Sequence, residues 1–278
     1  MERLYKCKNG VEEKTRFVVG SNAETRPHWR KAKSSKEKRE ENQRQAAREL
    51  GRILNCNASP EGWWVKLDFD SASWDKLFSG MDPDQILREA KRQGGLFLRR
   101  LKRRAGSDVK CAYIASDMDG KTKEPVRIHM HLVIVGAEEQ DIRDCWNYGA
   151  CTDVRHLYNQ EDYAPLAAYM VDQVRSLENF KKYTCTKNME KPEVFDRVVK
   201  GDPEEEIRVQ TGAKVLDRVP PKAGSVTQYV RYKRRPRAPK RGGHKEDGLP
   251  RPDGLAMTED GGQKKGGGGF EFSQASWG

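Results

Sequence analysis

Two histidines separated by one residue are the strongest chemical signal in this sequence. His129 and His131 lie within residues 127–135, where alternating apolar side chains predict a β-strand. Successive side chains of a strand point to opposite faces, so both imidazoles should project from the same face, close together. Neutral imidazole is a common ligand of divalent metal ions. The spacing therefore predicts either a site for one divalent cation or a pair of structural histidines.

A cation held by two histidines also needs an oxygen ligand, and the preceding strand supplies candidates. Residues 109–116 form a second predicted strand, which a turn-rich segment joins to the histidine strand, so the two should pair as a hairpin. Asp117 closes that strand and is the first choice for the third ligand, with Asp119 as the alternative. Either acid can instead be an ordinary turn residue.

The elements around this hairpin predict the fold. Strands are expected at residues 63–70, 109–116, 127–135 and 151–157, and helices at residues 82–104, 138–146 and 161–177. In chain order they form the string βαββαβα. This string predicts an α+β fold in which helices pack on one face of an antiparallel sheet. The opposite face of the sheet would stay free for a ligand.

The order of these motifs resembles the HUH endonucleases (histidine, hydrophobe, histidine), and in particular the rolling-circle replication initiators (Rep) of small plasmids and single-stranded DNA phages. The main similarities are IHMHLVI at 128–134, Asp117 before it, and LAAYMVD at 166–172. Weaker similarities are WWVKLDFD at 63–70, FLRRLKR at 97–103, WNYGACTDVRHL at 146–157 and KNMEKPE at 187–193. The resemblance covers about residues 30–195. It implies an RRM-like HUH core.

The resemblance also implies a chemistry. His129, His131 and Asp117 would hold Mg²⁺ or Mn²⁺, and Tyr169 would attack a phosphodiester of DNA. The products would be a 5′-phosphotyrosine link and a free 3′-OH, and the reverse step would rejoin the strand. Such a protein nicks single-stranded or hairpin origin DNA and starts rolling-circle replication. A transposase or a conjugative relaxase would use the same chemistry, whereas a non-catalytic single-stranded nucleic-acid binder would share every feature except the chemistry.

The sequence departs from the family pattern in two places. Family members commonly have a lysine three residues after the nucleophile, but this chain has Asp172 there, followed by Gln173. The missing cation would have to come from Arg175, Lys181 or Lys182. The first strand also carries Lys-Leu-Asp at residues 66–68, where relatives tend to have a threonine, so no function is transferred to it.

Other aromatic residues near these motifs have less specific interpretations. Tyr163 precedes Tyr169 by six residues, which is about 240° around an ideal helix, so it should be structural. Tyr158 falls in a predicted turn and is a weak candidate for a nucleophile. Trp63 and Trp64 could stack on unpaired bases, or they could pack in the core.

Composition limits the partners of the chain. The 278 residues carry a net charge of +11, with a pI of about 9.3 and a mean hydropathy of −0.94. The positive charge favours a polyanion such as nucleic acid, although excess Lys and Arg can also serve solubility alone. There is no apolar run of about 18 residues and no secretory signal at the start, so we expect no membrane partner and a cytoplasmic location. The resemblance implies that this is the cytoplasm of a bacterial host cell. No Gly-x-x-x-x-Gly-Lys-Ser/Thr loop occurs, so unwinding and synthesis would need a host helicase and polymerase.

Polarity divides the chain into four predicted regions. Residues 1–60 are polar and basic and should form an N-terminal arm. The HUH endonuclease domain is expected at residues 61–195, followed by a C-terminal extension at residues 196–233. Residues 234–278 are basic and then Gly-rich, which predicts a disordered tail.

Overall fold

Two antiparallel five-stranded sheets and five helices make up the described part of the chain in this computed structural model. The structure describes residues 1–17, 36–175, 177, 180–200, 205–220 and 227–235. These residues belong to one compact unit, Met1–Pro236. The tail predicted at residues 234–278 lies outside the described residues, except for its first two positions. The predicted α+β class is confirmed, but with two sheets instead of one.

In chain order the elements are β1 (Glu2–Lys6), β2 (Val11–Arg16), α1 (Lys36–Asn57), β3 (Trp63–Asp68), α2 (Ser71–Phe78), α3 (Pro83–Ala105), β4 (Lys110–Met118), β5 (Pro125–Val135), α4 (Glu139–Cys145), β6 (Cys151–His156), α5 (Ala164–Asp172), β7 (Thr184–Cys185), β8 (Glu193–Arg197), β9 (Lys214–Val219) and β10 (Gln228–Lys233).

The histidine strand β5 lies at the centre of one sheet, whose strand order is β6-β3-β5-β4-β7. We call this the central sheet. The predicted hairpin is confirmed, because β4 pairs antiparallel with β5 and brings Ser116 opposite His129. On the other side, β3 pairs antiparallel with β5. The candidate site therefore rests on a strand that is held by hydrogen bonds along both of its edges.

Helices cover both faces of the central sheet, so the predicted free face is wrong. On one face, α3 comes close enough that a Cβ added at Gly94 would meet Met130 and Tyr113. On the histidine face, the end of α5 is tied to β4, because the backbone N–H groups of Asp117 and Met118 donate to the Gln173 carbonyl. The amphipathic pattern of α5 does not predict this attachment, because it depends on backbone groups.

Helix α3 forms where the sequence predicts it. The Asp82 side chain accepts hydrogen bonds from the backbone of Asp84 and Gln85, and the Gln85 side chain accepts from the Asp82 N–H, which completes a capping box. Its apolar side is fully buried, including Leu87, Ala90, Phe97 and Leu101. No described helix is both long and apolar enough to cross a membrane.

A second sheet, with the strand order β8-β1-β2-β10-β9, joins residues from both ends of the described chain. Residues 2–16, for which the sequence predicts a basic arm, form β1 and β2. Within β2, Glu13 is completely buried and pairs with Arg52 of α1 at 2.9 Å. A strand that buries paired charges lacks the apolar alternation by which strands are recognised in a sequence. The sequence therefore gives no signal for these two strands.

Candidate metal and nucleophile site

The two histidines lie on the same face of β5 and contact each other. The Nε2 atoms of His129 and His131 are 3.0 Å apart, and their rings meet nearly at right angles. Met130, between them, points to the opposite face, towards Gly94 of α3. The strand therefore separates an apolar face from a face that carries both imidazoles.

A backbone carbonyl sets the tautomer of His129. Its Nδ1 is 3.0 Å from the carbonyl oxygen of Arg127, an acceptor only, so Nδ1 must carry the proton of the neutral ring. The lone pair on Nε2 then points at His131. Metal-binding histidines use the same arrangement, in which the second ring nitrogen donates to a backbone carbonyl or a carboxylate.

His131 is enclosed within the site. Its side chain is buried and stacks on the indole of Trp64, with 4.9 Å between ring centroids. Burial, with the neighbouring His129 second, lowers the pKa of His131 to about 3. Burial likewise lowers the pKa of His129. Both imidazoles are therefore neutral near pH 7, which is the form that binds metal ions.

Gln173 is the third member of the cluster. Its Oε1 lies 3.1 Å from His131 Nε2, and its Nε2 donates to the Tyr169 carbonyl at 3.2 Å. The Ser116 hydroxyl, also buried, donates to the Gln173 backbone carbonyl at 3.3 Å. These bonds hold the carboxamide oxygen against the histidine pair.

Tyr169 lies beside the same cluster. Its ring centroid is 6.0 Å from the His131 ring and 6.0 Å from the Trp64 ring. A Cβ added at Gly120, in the β4–β5 turn, would lie 3.3 Å from the ring edge. The side chain is half-buried, and in the described part of the chain no residue forms a hydrogen bond with its hydroxyl. The phenol is therefore close to the histidines without being held by a partner.

Asp117 is not in contact with the histidines. Its carboxylate pairs with the Arg175 Nε at 2.7 Å and accepts from the Arg175 backbone N–H at 3.2 Å. Burial raises the pKa of Asp117, while the hydrogen bond and the charge of Arg175 oppose that shift. Within the described ranges, no three His, Cys, Asp or Glu side chains are grouped so that they could hold a metal ion. The role of Asp117 as a metal ligand stays a prediction.

The alternative ligand, Asp119, belongs to the turn. Its carboxylate accepts from the backbone N–H groups of Lys121 and Thr122 at 2.8 and 2.7 Å. These bonds lower the pKa of Asp119 and close the β4–β5 hairpin. The structure thus shows the ordinary turn role for this acid.

The donor atoms that do converge fit a divalent cation. His129 Nε2, His131 Nε2 and Gln173 Oε1 offer two nitrogens and one oxygen, a mixed set in which imidazole suits transition-metal ions and the carbonyl oxygen suits Mg²⁺ or Mn²⁺. Two ligands at right angles around an ion with bonds of about 2.1 Å lie roughly 3.0 Å apart, which matches the separation of the two nitrogens. Without an ion, the single Nε2 proton of His131 would face two acceptors.

Asp172 lies at the position where HUH endonucleases commonly have a lysine. It contacts polar and basic side chains of other elements. Its carboxylate pairs with Lys123 of the β4–β5 turn and accepts from Gln43 of α1. The Gln43 oxygen in turn accepts from Lys182 at 2.8 Å, and burial lowers the pKa of Lys182 to about 8. Of the cations proposed from the sequence, Lys182 joins this network, whereas Arg175 is paired with Asp117.

This network borders a groove between α1 and α5 of about 510 Å³. The lining residues are Glu40, Gln43, Arg44, Ala47, Ala168, Tyr169 and Asp172. Tyr169 is thus part of the wall of this groove.

Three of the other aromatic candidates are structural. Tyr163 is buried, and its hydroxyl donates to the Tyr158 carbonyl at 3.2 Å. Trp63 and Trp64 are also buried, and the Trp63 indole N–H donates to the Ala137 carbonyl at 2.8 Å. Neither indole offers a free face for an unpaired base.

The sequence interpretation missed Gln173 and the packing role of Trp64. A detectable signal existed for Gln173, because it follows Tyr169 by four residues and so lies on the same side of a helix. No such signal existed for Trp64, whose contact with His131 depends on strand pairing.

In comparisons with known proteins, the chain matches no family model, no curated protein and no solved structure. The resemblance to HUH endonucleases therefore depends on the motif residues and their geometry alone.

Proposed function

We propose that this chain is a metal-dependent, site-specific single-strand DNA endonuclease and ligase with Tyr169 as its nucleophile. It would cut origin DNA through a 5′-phosphotyrosine intermediate, rejoin it, and so start rolling-circle replication. Single-stranded or hairpin origin DNA would be its substrate, and a host helicase and polymerase its partners. The β-α-β-β-α-β connection of β3 to β6, with α3 and α4 between the strands, supports an RRM-like HUH core.

One observation carries the proposal. His131, in the middle of the central sheet, contacts His129 and Gln173 at 3.0 and 3.1 Å, and the Tyr169 ring lies beside it. Residues separated by forty positions in the chain thus form one cluster that combines cation ligands with a phenol. A purely structural histidine pair would not need an adjacent phenol that lacks a hydrogen-bond partner.

The residues divide the chemistry between them. His129, His131 and Gln173 would hold the ion, which when bound neutralises the phosphate oxygens and polarises the phosphorus. The Tyr169 oxygen attacks that phosphorus and gives up its proton, the bond from phosphorus to the 3′ oxygen breaks, and the departing 3′ oxygen takes up a proton. Lys123, paired with Asp172, and Lys182, bonded to Gln43, would supply positive charge at the end of α5. Cleavage stores the bond energy in the phosphotyrosine, so rejoining needs no nucleotide cofactor.

The competing candidate is a non-catalytic single-stranded nucleic-acid binder. The Asp117–Arg175 pair favours it, because it removes the expected carboxylate from the histidines. A binder would retain the basic surface and lack only the covalent step.

A covalent-capture experiment distinguishes the nuclease from the non-catalytic binder. The protein is incubated with Mn²⁺ and a pool of single-stranded oligonucleotides of random sequence with labelled 5′ and 3′ ends, and then run on a denaturing gel. We expect an adduct that carries only the 3′-end label, because the protein joins the 5′ end of the cut. The His129→Ala/His131→Ala double variant should form no adduct, yet keep the salt-dependent part of its DNA binding.

Gln173→Ala and Asp117→Ala identify the oxygen ligand. Loss of the adduct in Gln173→Ala alone would support the cluster described above, whereas loss in Asp117→Ala alone would support the family ligand. Absence of any adduct with the unaltered protein would refute the nuclease and leave the binder.

A further inference from the structure

Two cations of α3 flank the ring of Phe180, and a third cation follows that ring in the chain. The Phe180 ring has the Lys91 ammonium 4.4 Å and the Arg88 guanidinium 5.7 Å from its centroid. Lys181, next in the chain, lies over the Tyr183 ring at 4.6 Å. We call Arg88, Lys91, Phe180 and Lys181 the Phe180 patch.

Carboxylates neutralise two cations of α3. Arg92 pairs with Glu89, and Arg104 pairs with Asp141 and Asp144 of α4. By contrast, no carboxylate of the described residues forms an ion pair with Arg88, Lys91 or Lys181. The fold therefore holds three cations close together, and none of them has an ion-pair partner among the described residues.

The charges of the patch repel one another. Lys91 is half-buried and donates to the Lys181 backbone carbonyl, which fixes its ammonium near the other two cations. Burial, followed by the charges of Lys181 and Arg88, lowers the pKa of Lys91. An anion bound between these groups would offset both the repulsion and the burial.

The same segment connects the patch to the candidate site. Lys182, between Lys181 and Tyr183, donates to the Val174 carbonyl and to Gln43, both next to α5. Lys181 is exposed to solvent. One short stretch of chain thus contributes a cation to the nucleophile helix and a cation to the patch.

We infer that the Phe180 patch binds backbone phosphates of single-stranded DNA outside the cleavage site. Ammonium and guanidinium groups are the usual partners of phosphate, and a cluster that lacks acids suits a polyanion better than a protein partner. The inference takes from the proposed function only the identity of the ligand as single-stranded DNA.

The test measures binding without cleavage. A fluorescein-labelled oligo-dT of 20 nucleotides is titrated in EDTA at several salt concentrations, and anisotropy reports the dissociation constant. The variant Arg88→Gln/Lys181→Gln leaves the partly buried Lys91 intact. The matched control, Arg99→Gln/Arg103→Gln, removes the same number of charges at two exposed positions of α3.

Each phosphate contact contributes about 0.7 to the slope of log K against log salt for single strands. Loss of two contacts should therefore lower the slope by about 1.4 and weaken binding about 25-fold at 0.1 M salt. The control should keep a slope close to that of the unaltered protein. Equal losses in both pairs, an unchanged slope in the patch variant, or no binding by the unaltered protein would each overturn the inference.

The two proposals fail separately. A protein that shows this difference in slope but forms no covalent adduct would keep the patch and lose the nuclease. A protein that forms the adduct but whose patch and control variants have equal salt slopes would keep the nuclease and lose the patch.

Discussion

Acidification from pH 7 to pH 5 should weaken the fold through His131. Burial lowers the pKa of this imidazole from its ordinary 6.5 to about 3, so the native state keeps it neutral. Below pH 6.5 the His131 imidazole binds a proton in the unfolded chain but not in the native state. The contribution of the neutral imidazole to the free energy of unfolding is therefore fully present above that pH and falls as the pH drops towards 3. His129 has a lowered pKa as well and acts in the same direction.

The size of the effect follows from the two pKa values. Each unit of difference corresponds to about 1.4 kcal/mol, and at pH 5 the loss from His131 amounts to about 2 kcal/mol relative to pH 7. Carboxylates also titrate in this range, but they do so equally in a variant that lacks the imidazole.

The measurement is urea unfolding at pH 7 and pH 5, followed by tryptophan fluorescence. The pH dependence in His131→Gln should be smaller than in the unaltered protein by about 2 kcal/mol. His156→Gln is the matched control, since it removes the exposed imidazole of β6 and keeps both imidazoles of β5. An equal pH dependence in His131→Gln and the unaltered protein would show that the histidine is not held neutral, and the cation site would lose its basis.

Two further substitutions test the packing around the site. Gly94→Ala should lower the free energy of unfolding by about 1–3 kcal/mol, because the new Cβ would lie 2.7 Å from the Tyr113 ring. Gly95→Ala, its neighbour, meets only an ordinary contact and should be neutral or stabilising by up to about 1 kcal/mol; equal effects in chemical denaturation would contradict the close packing of α3. Arg52→Met leaves Glu13 buried without its cation and should cost about 3–5 kcal/mol. An unchanged melting temperature would mean that Glu13 is already protonated in the native state, the direction in which burial shifts its pKa.

Much of the central sheet can be predicted because its signals are local. The alternation in β5, the turn-rich link from β4 and the Asp82 cap with Gln85 each involve neighbours in the sequence. The alternation of side chains along β5 is also a local property, and it places both histidines on one face. None of these signals requires knowledge of which distant segments meet.

The parts that were missed depend on long-range pairing. Strand β2 buries Glu13 against Arg52, so its inward residues look like surface residues in the sequence. The pairing of Asp117 with Arg175 is equally invisible, because both were expected to serve a bound ion or phosphate. Residue type alone does not show whether a charged side chain pairs with another residue of the fold or binds a ligand.

Mass spectrometry of the trapped adduct tests the central claim most directly. Trypsin would release residues 156–175 as one peptide, which contains Tyr158, Tyr163 and Tyr169, and fragmentation would show which of them carries the nucleotide. The account predicts the modification on Tyr169 alone, and a Tyr169→Phe protein that folds normally, since the hydroxyl has no hydrogen-bond partner among the described residues, but forms no adduct. A nucleotide on Tyr158 or Tyr163, or an adduct that persists in Tyr169→Phe, would contradict it.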